Sequence, residues 1–516
     1  MRTRYWPLRA CLIKTKIVIP MKKNTLLFFF LLLALPAFAG HFETSPKVKE
    51  AYEKVLSLRF VEAQNLLEQI KTEEPGNLLV YHVENYIDFF KIYINEDEDE
   101  FDRLKSNKAA RLDKIKSGDP NSPYYLFLQA DIRLQWALAR LKFEEYFTSF
   151  TEVNKAYKLL KKNQEKFPDF MPNLKDLGIL HAMVGTIPDN YQWGVKLLSG
   201  LDGTIEQGRA ELETVLEYSK ANDFLFTTET TVLYAFFLLH LDNEGDAAWE
   251  MVSTGLLKPG INPLHCFIMA NIAMRTGRND EAIKLLSKRP EGKDFYPFPY
   301  LKYMLGTAKL RRLDKDADQA FQQFLKSYKG RNFIKETYQK LAWHELVNYR
   351  PKTYHQYMNY CLTQGAAVTG GDKNALEEAE LGQLPDVSLL KARLLFDGGY
   401  YSKAYKLLDT FRASNFATKQ HQLEYNYRMG RICHGKNDME MALKYYRITI
   451  EQGGTEKWFY ACNAALQSGL IYEAQGNDIQ AKSYFQTCLS LKPSEYRSGL
   501  HQKAKAGLSR LKKDFE

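Results

Sequence analysis

One short segment of the sequence begins like a zinc-binding helix. His344 and Glu345 stand in the order that opens the His-Glu-x-x-His motif, in which two histidines bind zinc and the glutamate acts as a general base. Asn348 occupies the position where the second histidine is needed, and Tyr349 follows it. Because one histidine alone does not hold zinc, we predict no metal site in this segment.

Two further histidines have a cysteine as direct neighbour, at His265-Cys266 and Cys433-His434. Adjacent residues of a helix point about 100° apart, so neither pair suits joint binding of a metal ion. The sequence also lacks a Gly-x-Ser-x-Gly elbow, a phosphate-binding Gly-rich loop ending in Gly-Lys-Ser/Thr, and a Cys-x-x-Cys pair. We therefore predict a protein without enzyme activity, metal or cofactor. The alternative is an enzyme site within residues 176–222 that uses His181 or Asp202.

The elements that would position any site are helices with a repeated arrangement of small and aromatic residues. Gly469 and Ala481 allow two antiparallel helices to pack closely, Gly476 supplies the turn between them, and Pro493 ends the unit. Aromatic side chains fill the space around the crossing. The full set of structural positions is Gly469, Tyr472, Gly476, Ala481, Phe485 and Pro493.

Parts of this pattern recur upstream at constant spacing. A small residue is followed 12 positions later by proline at Ala63–Pro75, Ala156–Pro168, Ala247–Pro259 and Ala481–Pro493. Around Gly306 the small residue of the second helix is expected two positions late, at Ala320. The chain resembles the tetratricopeptide repeat (TPR) superfamily along most of its length. The resemblance implies an all-α fold, an α-solenoid of stacked helix-turn-helix repeats.

The same resemblance implies a concave groove lined by the first helix of each repeat. The candidate residues for binding a partner there are Arg393, Asp397, Tyr427, Arg431, His434, Asn463 and Glu473. Arg393 and Arg431 take the same repeat position and could clamp a carboxylate of an acidic peptide end. Alternatively, they pair with acidic residues on their own face, Asp397, Glu424 or Glu473.

A shorter segment, residues 193–210, resembles part of the eukaryotic inclusion-body-clearance type of TPR protein. The likeness rests on Trp193-Gly-Val-Lys-Leu-Leu198 and the glycines at positions 200, 203 and 208. It implies a divergent helical array with an irregular loop and brings no known catalytic residue.

The N-terminus is typical of a secretory signal. Met21-Lys-Lys precedes an apolar run from Leu26 to Leu35, and Ala37-Phe-Ala39 is a cleavage site before Gly40. The run is too short to cross a bilayer, which needs roughly 20 apolar residues, so we expect cleavage and no transmembrane anchor. Translation is expected to start at Met21, and the alternative is a longer n-region that includes residues 1–20. We predict an exported protein, periplasmic or associated peripherally with the outer membrane.

Charge argues against nucleic acid as a partner. The formal net charge is +9, but residues 1–39 hold seven of the 71 Lys and Arg and no acidic residue, which leaves 64 against 62. A nearly neutral chain does not attract a polyanion. We predict a non-catalytic scaffold or adaptor that binds protein or peptide partners in the cell envelope. The alternative is a glycan-capture protein of an outer-membrane importer, although Gly40 stands where such proteins carry a lipid-anchoring cysteine.

Five cysteines follow the signal, an odd number that cannot all pair. We expect Cys433 and Cys488 to be buried as small apolar residues, and a Cys462–Cys488 disulfide stays an alternative in an oxidising compartment.

Several segments interrupt the repeats in the predicted domain organisation. We expect a solvated turn in the acidic run at 95–100, an unusually long helical stretch from 123 to 165, and a break between 368 and 385. The predicted parts are 1–39, upstream extension and signal; 40–175, degenerate repeats; 176–222, an irregular insertion; 223–370, central repeats; 385–495, regular repeats; and 496–516, a capping helix.

Overall fold

The computed structural model describes residues 40–184 and 200–513, and these residues are folded almost entirely into helices. Within them the only β-type pairings are two isolated bridges, Gly40–Gly118 and His41–Asn77. Consecutive helices pack as antiparallel pairs along the chain. The predicted all-α solenoid is therefore confirmed. The predicted signal and the segment around Trp193 lie outside the described residues.

The first part of the array runs to residue 253. Its helices are α1 (Pro46–Leu56), α2 (Phe60–Glu73), α3 (Leu79–Asn95), α4 (Glu98–Leu104), α5 (Asn107–Lys116), α6 (Pro123–Leu141), α7 (Tyr146–Lys166), α8 (Met171–Val184), α9 (Ile205–Ala221), α10 (Thr227–Phe237) and α11 (Gly245–Ser253). A π-helical turn, Leu238–Asp242, extends α10.

The second part runs from residue 263 to the C-terminal helix. Its helices are α12 (Pro263–Arg275), α13 (Asn279–Ser287), α14 (Tyr300–Arg312), α15 (Ala317–Ser327), α16 (Ile334–Val347), α17 (Pro351–Thr363), α18 (Gly370–Leu381), α19 (Val387–Asp397), α20 (Tyr401–Leu408), α21 (Lys419–Gly435), α22 (Met439–Gly453), α23 (Tyr460–Ala474), α24 (Asp478–Ser490) and α25 (Arg497–Lys513). Throughout residues 40–184 and 200–513, every helix is too short or too polar to span a lipid bilayer.

Close packing of aromatic rings on glycines sets the distance between paired helices. The ring of Phe485 lies between Gly469 of α23 and Gly507 of α25, and a Cβ on either glycine would come within 2.6 Å of that ring. Ala481 is fully buried beside it. Tyr446 covers Gly430 in the same way one repeat earlier. The small residues therefore exist to bring neighbouring helices together.

At Gly306 the spacing differs from the prediction. Phe321 covers Gly306, one residue earlier than the spacing between Gly469 and Phe485 requires. The corresponding small residue is Ala317, which is fully buried, and not Ala320. The register of α15 against α14 is therefore shifted by one residue relative to that of α24 against α23.

The chain turns back so that its middle lies against its beginning. The backbone N–H of Tyr296 donates to the carbonyl of Leu58 at 2.7 Å, and the Tyr296 ring packs on Phe60. Glu96 is 4% exposed, pairs with Lys142 at 2.7 Å and accepts a hydrogen bond from Asn332 at 2.5 Å. The aromatic segment that leads into α14, residues 295–300, is thus packed against the start of the array through Tyr296.

Three local predictions were wrong in detail. The acidic run is not merely a solvated turn, because Asp97 caps α4 and Glu96 is buried. The stretch from 123 to 165 is two helices, since the chain turns between Leu141 and Tyr146. The expected break after residue 368 contains α18, which Thr369 caps at its N-terminus.

The segment predicted as an irregular insertion is largely helical where it is described. Helix α8 covers its beginning, and α9 covers Ile205–Ala221 and packs against α8. Gly208 makes this contact close, because a Cβ there would lie 2.3 Å from the carbonyl oxygen of Gly178. Residues 185–199, between the two helices, are not described.

Candidate functional site

The two arginines proposed as a clamp are each engaged by an aromatic ring. The guanidinium of Arg393 lies 4.6 Å from the ring centre of Trp343, and that of Arg431 lies 4.8 Å from the ring centre of Phe396. The nearest acidic contact of Arg393 is Asp397, at 3.9 Å. Cation–π stacking therefore holds both guanidinium groups in separate places.

Arg431 and two other predicted groove residues form a hydrogen-bonded chain between neighbouring repeats. The Tyr427 hydroxyl is buried and accepts hydrogen bonds from Asn463 at 2.7 Å and from Arg431 at 3.2 Å. The bond from Asn463 ties α21 to α23 and so stabilises the stacking of repeats, whereas the bond from Arg431 lies within α21.

The remaining predicted residues are also paired within the protein. His434 lies 3.3 Å from the Tyr446 hydroxyl, and burial together with the charge of Arg431 lowers the pKa of His434 to about 4. Glu473 accepts two hydrogen bonds from Arg510 of α25, at 2.7 and 2.8 Å. Among the seven predicted groove residues, only Arg393 lines the opening described below.

The structural repeat positions contact one another around α23 and α24. Phe485 and Ala481 lie at the crossing, whereas Tyr472 stacks on Tyr484 with ring centres 5.5 Å apart. Gly476 has a φ of 70° and forms the turn, and Pro493 is buried after the end of α24. These positions serve packing.

The cysteines that follow the predicted signal are buried thiols. The sulfur atoms of Cys462 and Cys488 lie 3.6 Å apart, in contact but well beyond the bond length of about 2.05 Å in a disulfide. Cys433 is buried as predicted.

His344, the start of the failed zinc motif, is buried and hydrogen-bonded. Its Nε2 lies 3.0 Å from the Lys315 carbonyl oxygen, and its Nδ1 lies 3.2 Å from Glu345. Within the part of the chain that the structure describes, no group of three His, Cys, Asp or Glu side chains is arranged to hold a metal ion. The residues of the alternative enzyme site are paired too, His181 with Glu211 and Asp202 with Tyr157.

A cluster that the sequence did not indicate lies between the first helices of the N-terminal repeats. Glu229 of α10 accepts hydrogen bonds from Tyr52 of α1 at 2.6 Å, Tyr86 of α3 at 2.9 Å and Lys175 of α8 at 2.5 Å. Lys175 is 1% exposed and also pairs with Asp176 at 2.8 Å. We call this cluster, together with Asp131 and His82, the N-terminal ionic core.

The charges of this core depend on one another. Burial alone would raise the pKa of Asp131, but Lys175 and His82 outweigh it and lower that pKa to about 2. Burial favours the neutral amine of Lys175, yet Asp176 and Glu229 raise its pKa above the ordinary value. Burial raises the pKa of Asp176 against the opposing effect of Lys175. The space where first helices converge is thus filled by the protein's own side chains.

The C-terminal half leaves an opening between the corresponding helices. This C-terminal trough has a volume of about 250 Å³ and lies between α16, α18, α19 and α21, with residues 459–460 and 495–496 at one end. Leu381, Leu384 and Tyr496 at the trough are 54%, 41% and 45% exposed. Exposed apolar side chains around a concavity are typical of a surface that binds another molecule.

Most polar groups of the trough floor have partners within the protein. Glu378 accepts hydrogen bonds from Gln339 at 2.7 Å and from the Trp343 indole at 2.8 Å. The Lys340 amine lies 4.1 Å from the Trp343 ring centre and 3.4 Å from Glu336, and burial lowers its pKa. This floor is a rigid, preorganised surface.

The acidic residues of the trough rim are less compensated. Arg428 is paired with Glu424 at 2.9 Å, whereas neither Glu377 nor Glu495 forms a salt bridge with another residue of the described ranges. Burial raises the pKa of Glu495, and the negative charge of Glu377 raises it further. The charges of Glu377 and Glu495 thus act against each other, and the charges of Arg393 and Lys457 compensate that of Glu495 only in part.

Comparison with known proteins assigns the repeats of the C-terminal half. Residues 423–447 and 463–495 match the tetratricopeptide repeat family, and these ranges fall on α21–α22 and α23–α24. No curated protein matches the chain. The match supports membership of the TPR superfamily, whose repeats characteristically mediate protein–protein interaction.

Proposed function

We propose that this chain is a non-catalytic scaffold that binds a segment of a protein partner in its C-terminal trough. The observation that carries the proposal is an open trough with exposed Leu381, Leu384 and Tyr496, set among helices that include matched TPR repeats. Among the described residues of the N-terminal half, buried charged side chains fill the corresponding space at the ionic core. Lack of catalysis stays a prediction.

The proposed place of action is the cell envelope. Support comes from the sequence alone, in the basic start at Met21, the apolar run and the cleavage site before Gly40. Gly40 is buried, and its carbonyl accepts a hydrogen bond from Asp119 at 2.9 Å, so a chain that begins at Gly40 keeps its contacts. Mass spectrometry of the protein purified from cells should find Gly40 as the first residue. Intact residues 21–39 would contradict export.

Site-specific photo-crosslinking in cells tests the binding site. A photoreactive amino acid at Leu384, in the trough, should give a discrete adduct with a partner protein. Ile479 provides the matched control, because it is 81% exposed and lies outside the trough. The same adducts from both positions, or none from Leu384, would contradict the proposal.

A further inference from the structure

The trough carries an excess of negative charge. Its acidic residues are twice as numerous as its basic ones: Glu336, Glu377, Glu378, Asp386, Glu424 and Glu495 against Lys340, Arg393 and Arg428. Lys340 is matched by Glu336 and Arg428 by Glu424. Arg393 then remains as the one cation of the trough lining opposite several carboxylates.

Two of those carboxylates are available to a ligand. Asp386 caps α19 by accepting from the backbone of Ser388 and Leu389, and Glu378 is occupied by the side chains of the floor. Glu377 is exposed on α18, and Glu495 is half-buried beside Tyr496. Both line the trough.

Aromatic groups next to these carboxylates also suit a cation. Tyr496 is held against Phe459, with ring centres 4.9 Å apart and ring planes 71° apart. Both rings line the trough, and Tyr496 keeps 45% of its surface exposed. A Lys or Arg side chain gains from a carboxylate and from the face of an aromatic ring at the same time.

We infer that the trough binds a basic segment of a protein partner, with a Lys or Arg side chain placed between Glu377 and Glu495 and its apolar neighbours against Leu381 and Leu384. This inference rests on the proposed function and specifies its partner. The sequence had suggested an acidic peptide end, bound by Arg393 and Arg431. A basic segment is inferred instead, because Arg393 is already stacked on Trp343.

Binding of labelled peptides to the chain beginning at Gly40 tests the inference by fluorescence anisotropy. The probe is a peptide of about twelve residues that alternates Lys and Ser around one Leu, and its match carries Glu in place of Lys. We expect the Lys peptide to bind and its affinity to fall as salt is added, because the charges involved are partly exposed. The Glu peptide should bind at least about tenfold more weakly.

Paired variants locate the binding. Glu377→Gln combined with Glu495→Gln should weaken binding of the Lys peptide by about tenfold or more. The control combines Glu380→Gln with Glu451→Gln, which changes net charge equally at exposed positions outside the trough. It should leave binding unchanged. Circular dichroism of each variant checks that the fold is kept.

The outcomes separate this inference from the proposed function. If both double variants weaken binding equally, the inference of a basic partner is wrong, although the trough can still be a binding site. The same conclusion follows if the Glu peptide binds and Arg393→Ala abolishes that binding. Failure of both peptides together with no crosslink from Leu384 would remove both proposals. Formation of dimers that the Lys peptide does not displace would assign the trough to a second copy and overturn the inference.

Discussion

The first helices of the N-terminal and C-terminal repeats place charged side chains in different surroundings. Lys175 is 1% exposed and is surrounded by carboxylates and tyrosines from α1, α3 and α10. Arg393 retains 35% side-chain exposure and lies at the wall of an open trough. The space between first helices can thus be filled by the protein's own polar groups, as around Lys175, or left accessible, as around Arg393. The side chains of the first helices decide which of the two occurs.

The largest difference between the two regions is expected when the central cation of each, Lys175 or Arg393, is removed. Lys175→Met leaves Asp176 and Glu229 without their counter-charge and leaves Asp131 with His82 alone, so we expect about 3–5 kcal/mol loss of stability in the N-terminal repeats. Arg393→Met should cost at most about 1 kcal/mol, since its pairing is exposed. Native-state hydrogen exchange resolves the two regions.

Replacing Lys175 together with its two carboxylate partners tests whether the loss of stability comes from unpaired buried charge. Lys175→Met combined with Asp176→Asn and Glu229→Gln should recover part of the loss, because fewer buried charges then lack a partner. A cost below about 1 kcal/mol for Lys175→Met alone would show that the ionic core does not hold these helices together.

The crossing of α23 and α24 gives the next largest effect. Ala481 is fully buried beside the Phe485 ring, so Ala481→Leu should destabilise the C-terminal repeats by about 1–3 kcal/mol through overpacking. Lys482→Leu, at the exposed neighbouring position, is the control and should change stability by no more than about 0.5 kcal/mol. An equal effect of both substitutions would show that the assigned repeat register is wrong.

Acid should weaken the repeat that contains His434 before it weakens the N-terminal ionic core. His434 has a folded pKa of about 4 against 6.5 when free, so the unfolded chain takes up a proton that the folded chain refuses, and stability falls between pH 6.5 and pH 4. His434→Gln should remove this part of the loss in α21. Hydrogen exchange at several pH values, corrected for the intrinsic rate, measures it.

The N-terminal ionic core should not weaken over the same range. Asp131 has a folded pKa of about 2 against 3.8 when free, so its contribution stays complete above pH 3.8 and is lost only as the pH falls towards 2. Asp176 has a raised folded pKa, so falling pH favours the folded state at this residue. Faster loss of protection in α8 than in α21 on going from pH 6.5 to pH 4 would contradict this assignment.

The smallest effect on stability is expected at the trough rim. Glu377 is exposed on α18, so Glu377→Gln should change the free energy of unfolding by no more than about 0.5 kcal/mol. A rim residue that matters for binding and not for stability distinguishes the trough from the ionic core. A large destabilisation measured by thermal unfolding would show that Glu377 is structural.

Local patterns in the sequence predicted the repeats because the contacts that they encode are local. Gly469, Ala481 and Phe485 meet one another within one helical pair, so spacing alone indicates their packing. The same reasoning missed Ala317, because the register of this helical pair is shifted by one residue and nothing else in the sequence indicates the shift.

The candidate site was predicted only in part because its walls come from separate regions. Trp343 on α16 and Tyr496 before α25 lie outside the repeats whose positions were assigned from the pattern. Of the seven predicted groove residues, only Arg393 also lines the trough. The ionic core was missed for a related reason, since Tyr52 and Glu229 are 177 residues apart in sequence. The negative charge around Glu377 and Glu495 could have been recognised from the sequence only if α18 had been predicted as a helix.

Oxidative footprinting with hydroxyl radicals tests most directly whether the N-terminal ionic core is filled and the C-terminal trough is open. Tyr52 and Tyr86, in the ionic core, are 1% and 4% exposed, whereas Tyr496 at the trough is 45% exposed. We predict rapid oxidation of Tyr496 and almost none of Tyr52 and Tyr86 in the free folded chain. Oxidation of Tyr52 and Tyr86 at the rate of Tyr496 would contradict the account.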